Sequence, residues 1–152
     1  MAETYTLVVV EDNPDELELL MYALREHAKD ETVRALRDGA QALEFAFGEA
    51  TRTARRTFGL PRLVLLDLKL PKVGGLDVLA KLRSDPDWCA IPIIVLSASN
   101  QQSDITRAYE LGASSYLVKP VDLDEFTELI QLVVTYWLRT NRTPMPVIQP
   151  GG

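Results

Sequence analysis

The stretch Leu63-Val64-Leu65-Leu66-Asp67 is an unbroken run of apolar residues that ends in an aspartate. A second run, Leu7–Val10, ends in the pair Glu11 and Asp12. Apolar runs without alternating polar residues predict strands that are buried on both faces, as in a parallel sheet covered by helices. Ligands of such sheets bind at the carboxyl ends of the strands, so we expect these carboxylates to share one crevice. Their mutual repulsion predicts a site for a divalent metal ion.

Strand-like runs alternate with amphipathic helical patterns, which predicts an α/β fold built from five β-α units in one domain. The predicted strands are residues 6–10, 32–36, 62–67, 92–97 and 115–118. The predicted helices are residues 15–28, 39–47, 76–83, 103–111 and 124–138, with Pro14 in the first turn of the first helix. We therefore place the domain at residues 1–139 and a proline-rich tail, which cannot continue a helix, at residues 140–152.

The overall charge argues against a nucleic-acid-binding surface. Sixteen Lys and Arg against 22 Asp and Glu give a net charge of −6, whereas binding to nucleic acid depends on phosphate neutralisation. The basic cluster Arg52, Arg55 and Arg56 is better explained as a solvated helix end or loop. No apolar run approaches the roughly 20 residues of a membrane helix, so we expect a cytoplasmic protein that does not bind membranes. With Cys89 as the single cysteine and His27 as the single histidine, neither a disulfide nor a zinc site is expected.

Two further polar residues follow predicted strands. Ser97 ends the fourth strand and Lys119 follows the fifth. Together with the three carboxylates they make a set suited to phosphoryl transfer, in which Asp67 is the nucleophile that becomes an aspartyl phosphate. Mg²⁺ prefers carboxylates, water and phosphate oxygens, the ligands that this edge of the sheet offers. Lys119 would neutralise phosphoryl charge and Ser97 would donate a hydrogen bond to a phosphoryl oxygen.

Each of these residues also has an ordinary structural explanation. Glu11 and Asp12, followed by Asn13 and Pro14, would serve as caps of the first helix. Asp67 would cap a turn, and Lys119 alone would be a solvated lysine.

We also expect a cis peptide bond before Pro120. Such a bond would turn the chain sharply and fix Lys119 over the crevice.

Four motifs together resemble the receiver domain of bacterial two-component response regulators, over about Leu7–Leu138. The motifs are Val-Val-Val-Glu11-Asp12-Asn, Leu-Leu-Asp67-Leu-Lys-Leu-Pro71 with Gly75, Val-Leu-Ser97-Ala and Ser-Tyr116-Leu-Val-Lys119-Pro120. The intervals also agree with that family, since Asp67 to Ser97 is 30 positions, Ser97 to Tyr116 is 19 and Tyr116 to Lys119 is 3. The resemblance implies a flavodoxin-like doubly wound sheet with strand order 2-1-3-4-5.

The resemblance also implies roles for individual residues. Asp67 would accept a phosphoryl group from a phosphohistidine on a separate sensor histidine kinase, so the chain would be a signalling switch that acts through protein contacts rather than an enzyme. Mg²⁺ would be held by Glu11, Asp12, Asp67 and the backbone carbonyl of Lys69. Ser97 would move toward the phosphoryl group and Tyr116 would turn inward, changing the surface of the fourth helix, fifth strand and fifth helix. The chain departs from the family pattern or stands at its variable positions at four residues: Gly74 stands where an acidic residue is common, Ser97 replaces the commoner threonine, and Lys69 and Ser99 occupy variable positions.

A narrower resemblance is to the single-domain regulators paired with bacterial phytochromes. It rests on the long connection 48–61, on the Tyr136-Trp137-Leu138 end of the last helix and on the proline-rich tail. Tyr136 and Trp137 either pack against the core or leave an apolar interface exposed. We expect a symmetric homodimer through the face of the fourth and fifth helices, with the tail from Thr143 to Pro150, including Val147 and Ile148, extending along the partner.

Two other functional classes remain open at this stage. A phosphatase or phosphotransferase that uses an aspartyl nucleophile, as haloacid-dehalogenase-like enzymes do, would carry a second aspartate two positions after the first, where this chain has Lys69. A pseudo-receiver would bind partners without phosphorylation, but every residue of the acceptor site is present here. Gain of one phosphoryl group from acetyl phosphate, measured by intact mass, separates these classes from the switch.

Overall fold

A computed structural model describes residues 5–50, 52–53 and 59–144. Five parallel strands form one sheet in the order β2-β1-β3-β4-β5. The strands are β1 Leu7–Val10, β2 Val33–Leu36, β3 Leu63–Leu66, β4 Ile93–Ser97 and β5 Ser115–Val118. The expected flavodoxin-like order and the single domain are therefore confirmed.

The helices lie close to their predicted positions. They are α1 Pro14–His27, α2 Gly39–Phe47, α3 Gly75–Ser84, α4 Gln102–Glu110 and α5 Leu123–Val134, with a short 3₁₀ turn at Trp88–Ala90. Beyond Val134 the last helix continues with π-helical hydrogen bonding over Thr135–Thr140. The cap of α1 is Asn13, whose side chain accepts hydrogen bonds from the backbone N–H groups of Asp15 and Glu16. Glu11 and Asp12 are thus not needed as side-chain caps of that helix.

The two faces of the sheet are both covered, which explains why the strand sequences do not alternate. All residues of β1, β3 and β4 are buried. Val8, Val64 and Ile93 belong to the core cluster that contains residues of α2 and α3, whereas neighbouring strand residues belong to the cluster that contains residues of α1 and α5. This sandwich of helices around the sheet holds the carboxyl ends of the strands along one edge.

The connection between β3 and α3 is tightly packed because two glycines allow close backbone approach. A Cβ atom on Gly75 would lie 2.3 Å from the carbonyl oxygen of Asp67, and one on Gly39 would lie 1.8 Å from that of Val73. Gly75 also donates its backbone N–H to the carbonyl oxygen of Leu68 at 2.9 Å. Between these contacts Lys72 adopts a φ of 67°, an uncommon conformation for a residue with a Cβ. The helices α2 and α3 thereby fix the loop that follows Asp67.

The expected cis peptide bond at Pro120 was wrong. None of the peptide bonds in the described residues is cis. Lys119 is oriented instead by the sheet, because its backbone N–H donates to the carbonyl oxygen of Ser97 at 2.8 Å and so extends the pairing of β4 with β5 by one residue.

Among the residues that the structure describes, none of the helices has both the length and the apolar character needed to cross a membrane.

Gly75→Ala is expected to destabilise the protein by about 2 kcal/mol or more, because the added methyl group meets backbone atoms that cannot move without shifting the loop after Asp67. Gly74→Ala is the matched control. Its Cβ would have ordinary contact only, 3.9 Å from the Asp77 carboxylate, so a loss below about 1 kcal/mol is expected from the weaker N-cap. Urea unfolding measures both values. Equal losses in the two variants would contradict the close approach at Gly75.

Candidate functional site

Three carboxylates meet at the carboxyl ends of β1 and β3. Glu11 and Asp12 follow β1 directly, Asp67 follows β3, and the two strands are neighbours in register, with Val10 opposite Leu66. Ligand oxygens of Glu11, Asp12 and Asp67 all lie within 4.8 Å of one another. Glu11 and Asp67 are buried, being 3% and 7% exposed. The structure therefore brings together the carboxylates that the sequence placed at strand ends.

Lys119 is the cation of this cluster. Its ammonium group donates to the Glu11 carboxylate, to Glu16 Oε2 at 3.2 Å and to Asp67 Oδ2 at 3.5 Å. The side chain is only 8% exposed. Since β5 is separated from β1 by two strands, its long side chain crosses the edge of the sheet to reach Glu11. One buried ammonium thus neutralises part of the charge of three carboxylates.

The protonation of the cluster follows from this burial. Burial, together with the nearby charge of Asp67, raises the pKa of Glu11 to about 7, although the bond from Lys119 opposes the shift. Burial by itself would lower the pKa of Lys119. The hydrogen bond to Glu11 and the charges of the surrounding carboxylates outweigh that effect and raise this pKa. In the metal-free protein Glu11 therefore exchanges a proton near neutral pH, and a cation would compete with that proton.

The oxygen donors fit a hard divalent cation. Glu11, Asp12 and Asp67 offer carboxylate oxygens and no nitrogen or sulfur ligand, the donor set that magnesium, calcium and manganese prefer. The loop after β3 folds back over the site, because the backbone N–H of Lys69 approaches Asp67 Oδ1 at 3.4 Å. This contact places the main chain of Lys69 beside the Asp67 carboxylate.

Ser97 and Tyr116 are connected through a residue between them in space, Ser99. The hydroxyl oxygen of Ser97, which is fully buried, accepts from the backbone N–H of Ser99 at 3.1 Å. The Tyr116 hydroxyl donates to the carbonyl oxygen of Ser99 at 2.9 Å. The Ser99 hydroxyl in turn donates to Asp104 Oδ2 at 2.5 Å. Both residues that the sequence proposed as switch positions thus contact one peptide segment at the start of the β4–α4 loop.

Three contacts at this edge were missed from the sequence. Glu16 contacts Lys119, Asp104 accepts the Ser99 hydroxyl, and the Tyr109 hydroxyl accepts the backbone N–H of Tyr116 at 3.1 Å on the open edge of β5. Only Glu16 had a usable signal, since it is an acidic residue in the first turn of a helix that begins at the same edge of the sheet as Asp67.

The proposed interface residues lie away from the carboxylate cluster, at the far end of α5. Trp137 is half-buried and packs against the core cluster of α1 and α5. Tyr136 is 52% exposed, and its ring meets that of Trp137 edge-on with centroids 5.0 Å apart. Trp137 therefore fits the interpretation of core packing, and Tyr136 fits that of an exposed apolar surface. Val147 and Ile148 lie outside the described residues.

Comparison with known proteins gives consistent relatives. FilR2 of Methanothrix harundinacea, a probable methanogenesis regulatory protein, is 35% identical over 95% of this chain and 90% of its own length. The response regulator Rcp1 of Synechocystis sp. is 34% identical over 91% and 92% of the two chains. A manganese-bound crystal structure of Rcp1 superposes with a TM-score of 0.81 at 31% identity, covering 92% of this chain and 99% of that one.

The phosphorylated cyanobacterial phytochrome response regulator RcpA superposes with a TM-score of 0.84 at 32% identity, covering 93% of this chain and 99% of that one. The profile of the response regulator receiver domain matches residues 7–131. A match over most of the domain, with the strand order 2-1-3-4-5 and the acidic cluster at its carboxyl edge, leads to one conclusion: this chain belongs to the response regulator receiver domain family.

Proposed function

We propose that this protein is a phosphorylatable switch in which Asp67 accepts a phosphoryl group from a phosphohistidine of a sensor histidine kinase. The observation that carries the proposal is the position of Asp67, buried beside a second buried carboxylate and within 3.5 Å of the Lys119 ammonium. An oxygen of Asp67 would attack phosphorus while the bond from phosphorus to the histidine nitrogen breaks. The electron pair stays on that nitrogen, and the product is an acyl phosphate on Asp67 and a free imidazole.

We propose Mg²⁺ as the metal of this site, held by Glu11, Asp12, Asp67 and the Lys69 carbonyl. Support comes from the oxygen-only donor set and from the manganese found in the Rcp1 structure. Mg²⁺ is the hard cation that most often accompanies phosphoryl groups on one or two carboxylates. When bound, it supplies positive charge to the phosphoryl oxygens in the transition state.

Lys119, Ser97 and Tyr116 would have the remaining roles around Asp67. The Lys119 ammonium already lies beside Asp67 and would donate a hydrogen bond to a phosphoryl oxygen from its present position. Ser97 accepts a hydrogen bond from the Ser99 N–H, so its own O–H is available to donate to a phosphoryl oxygen once the side chain moves toward it. Because the Tyr116 hydroxyl is bonded to the same residue, a movement of the β4–α4 loop would alter both contacts. The product of the reaction is then a changed surface rather than a released compound, which favours signalling through protein contacts over an enzymatic role.

The phosphatase alternative finds less support in this site. Its second catalytic carboxylate would stand at residue 69, where Lys69 turns its backbone N–H toward Asp67. Asp67 therefore has no neighbouring acid at that position to protonate a leaving group.

The kinase is proposed to be of the phytochrome type. RcpA is a phytochrome response regulator that superposes on 93% of this chain. FilR2, a probable methanogenesis regulatory protein, is 35% identical to this chain, so the phytochrome assignment rests on the structural relatives and on the Tyr136-Trp137-Leu138 end of the last helix.

The homodimer is proposed to form through the outer face of α5. Leu132 and Tyr136 are 67% and 52% exposed there, four positions apart and therefore on one side of the helix. Two exposed apolar side chains of this size at helical spacing favour a contact with another chain. The tail with Val147 and Ile148 would add apolar area along the partner.

Asp67→Asn is expected to abolish phosphorylation by acetyl phosphate in the presence of Mg²⁺, because an amide keeps the volume of the side chain but is not a nucleophile. Intact mass measures the gain of one phosphoryl group in the wild type and its loss in the variant. Asp124→Asn, an exposed aspartate in the first turn of α5, is the matched control and should label like the wild type. Full labelling of Asp67→Asn would show that another residue is the acceptor.

Metal binding is expected to depend on pH in a defined direction. The folded protein holds a proton on Glu11 up to a pKa of about 7, above the ordinary value of 4.5, so between these values the folded state binds more protons than the unfolded one. The metal-free protein should therefore lose stability as the pH rises from about 5 to about 7. Mg²⁺ replaces the proton, so its stabilising effect should be larger at pH 8 than at pH 6.

Thermal unfolding with and without Mg²⁺ at the two pH values measures this effect. Glu11→Gln should remove most of the pH dependence, and Asp12→Asn should reduce the metal-induced shift at both pH values. A shift in the wild type that is the same at pH 6 and pH 8 would contradict the coupling between the metal and the Glu11 proton.

The dimer is tested by molar mass from light scattering at tens of micromolar protein. We expect a dimeric mass for the full chain and a loss of dimer on deletion of residues 140–152 or on the change Tyr136→Lys. Tyr22→Lys, on the outer face of α1 and equally exposed, is the control for adding a charge to an apolar surface. A monomeric full chain, with and without phosphorylation, would refute the dimer.

A further inference from the structure

Glu16 is an acidic residue of the site that belongs neither to the metal cluster nor to the acceptor. It lies in the first turn of α1, where its backbone N–H is held by the side chain of Asn13 at 3.1 Å. Its Oε2 atom lies 3.2 Å from the Lys119 ammonium. The carboxylate is therefore placed by a rigid helix end onto the one cation of the phosphorylation site.

The local hydrogen bonds explain why Glu16 points to Lys119. A glutamate three residues after an N-cap commonly bonds back to the backbone N–H of the cap residue. Here that N–H, on Asn13, already donates to Glu11 Oε2 at 3.2 Å. Glu16 is left without its usual helical partner, and its carboxylate turns to the ammonium of Lys119 instead.

Lys119 has no spare donor in this state. An ammonium group carries three N–H bonds, and its three partners are Glu11, Glu16 and Asp67. A phosphoryl group on Asp67 requires at least one of these donors. Of the three partners, Glu16 is the one whose side chain is substantially exposed, at 42% compared with 4% and 8% for the other two. The Glu16 carboxylate is already partly hydrated, whereas Glu11 or Asp67 would stay buried without its partner, so Glu16 is the one that gives up Lys119 at the least cost.

The surface beside Glu16 and Lys119 is open. A cleft of about 310 Å³ lies there, on the side of the sheet that α1 and α5 cover. Its lining includes Leu19, Val121 and Phe126 as well as the two charged residues. The opening gives the Glu16 carboxylate a path to solvent, in agreement with its exposure of 42%.

We propose that Glu16 is a positioning residue that holds Lys119 in the unphosphorylated state and, through its negative charge, limits how strongly the site retains a phosphoryl group. The inference rests on the proposed role of Asp67 as acceptor. Phosphorylation adds negative charge a few ångströms from a carboxylate that already shares the same lysine. Glu16 thus competes with the phosphoryl group for Lys119 and shortens the active state.

The test is the charge-neutral change Glu16→Gln, which keeps the length of the side chain and an oxygen acceptor for Lys119. Beryllofluoride with Mg²⁺ serves as the stable phosphoryl analogue, and its half-saturating concentration is measured by titration calorimetry. We expect that concentration to fall about three- to fivefold, the range of a partly exposed ion pair. The half-life of the aspartyl phosphate, followed by intact mass after removal of acetyl phosphate, should lengthen in the same proportion.

Glu18→Gln is the matched control, because Glu18 lies on the same helix, is exposed and loses the same charge. It should leave both measurements near the wild-type values. Glu16→Asp, which keeps the charge, should lie nearer to the wild type than Glu16→Gln does. If the effect came only from the total charge of α1, both glutamine variants would change the two measurements equally. A direct contact with Lys119 would change them only in Glu16→Gln.

The outcomes separate this inference from the proposed function. If the wild type and Glu16→Gln take up beryllofluoride and phosphoryl groups equally well, Asp67 is an acceptor and the role of Glu16 is wrong. Weaker binding by Glu16→Gln would likewise overturn it, since Glu16 would then assist rather than compete. If the wild type itself gains no phosphoryl group, the proposed function fails, and the inference fails with it.

Discussion

The constraint on which this site depends is the burial of like charges at the junction of two neighbouring strands. Because β1 and β3 pair in register, the residues that follow Val10 and Leu66 are forced side by side, and these residues are Glu11 and Asp67. Two carboxylates in that position cannot both ionise without a positive charge nearby. Lys119 supplies this charge. Its backbone extends the pairing of β5 with β4, and its side chain crosses the edge of the sheet to reach Glu11. Burial and then the charge of Asp67 nevertheless raise the pKa of Glu11, so a further cation at this point would compete with its proton.

Close packing of the backbone around the loop after Asp67 holds this arrangement of charges in place. The loop after Asp67 passes between the amino-terminal ends of α2 and α3, where Gly39 and Gly75 bring backbone against backbone. Lys72, in the middle of that loop, is paired with the buried Asp38 at 3.4 Å. The backbone N–H of Lys69 is thereby held beside the Asp67 carboxylate. Preorganisation of this kind lowers the ordering cost of binding a cation or a phosphoryl group.

The strands, the helices and the strand-end residues could be predicted because their causes are local in sequence. Unalternating apolar runs can be buried only on both faces, and the parallel sheet then places Glu11, Asp67 and Ser97 at one edge. The cis bond expected at Pro120 was wrong, since a proline permits a cis bond but does not require one. Contacts between side chains of different elements carry no such local signal. Glu16 is instructive, since its spacing from Asn13 suggests an ordinary helix cap, and only the structure shows that Glu11 has taken the N–H that Glu16 would have bonded.

The hydrogen bonds that link Ser97 and Tyr116 through Ser99 show how a structural change at the carboxylates could reach the protein surface. Both residues bond to Ser99, one through its N–H and the other through its carbonyl, so the peptide groups on either side of that residue couple them. The Ser99 hydroxyl anchors the same segment to Asp104 in the first turn of α4. If Ser97 moves toward a phosphoryl group, as the proposed function requires, its contact with the Ser99 N–H changes, and with it the position of the carbonyl that accepts from the Tyr116 hydroxyl. Since Tyr109 of α4 contacts the backbone of Tyr116, rearrangement of one short loop changes the contacts between α4 and β5. The segment around Ser99 is therefore the element through which the proposed phosphorylation of Asp67 would reach the outer surface.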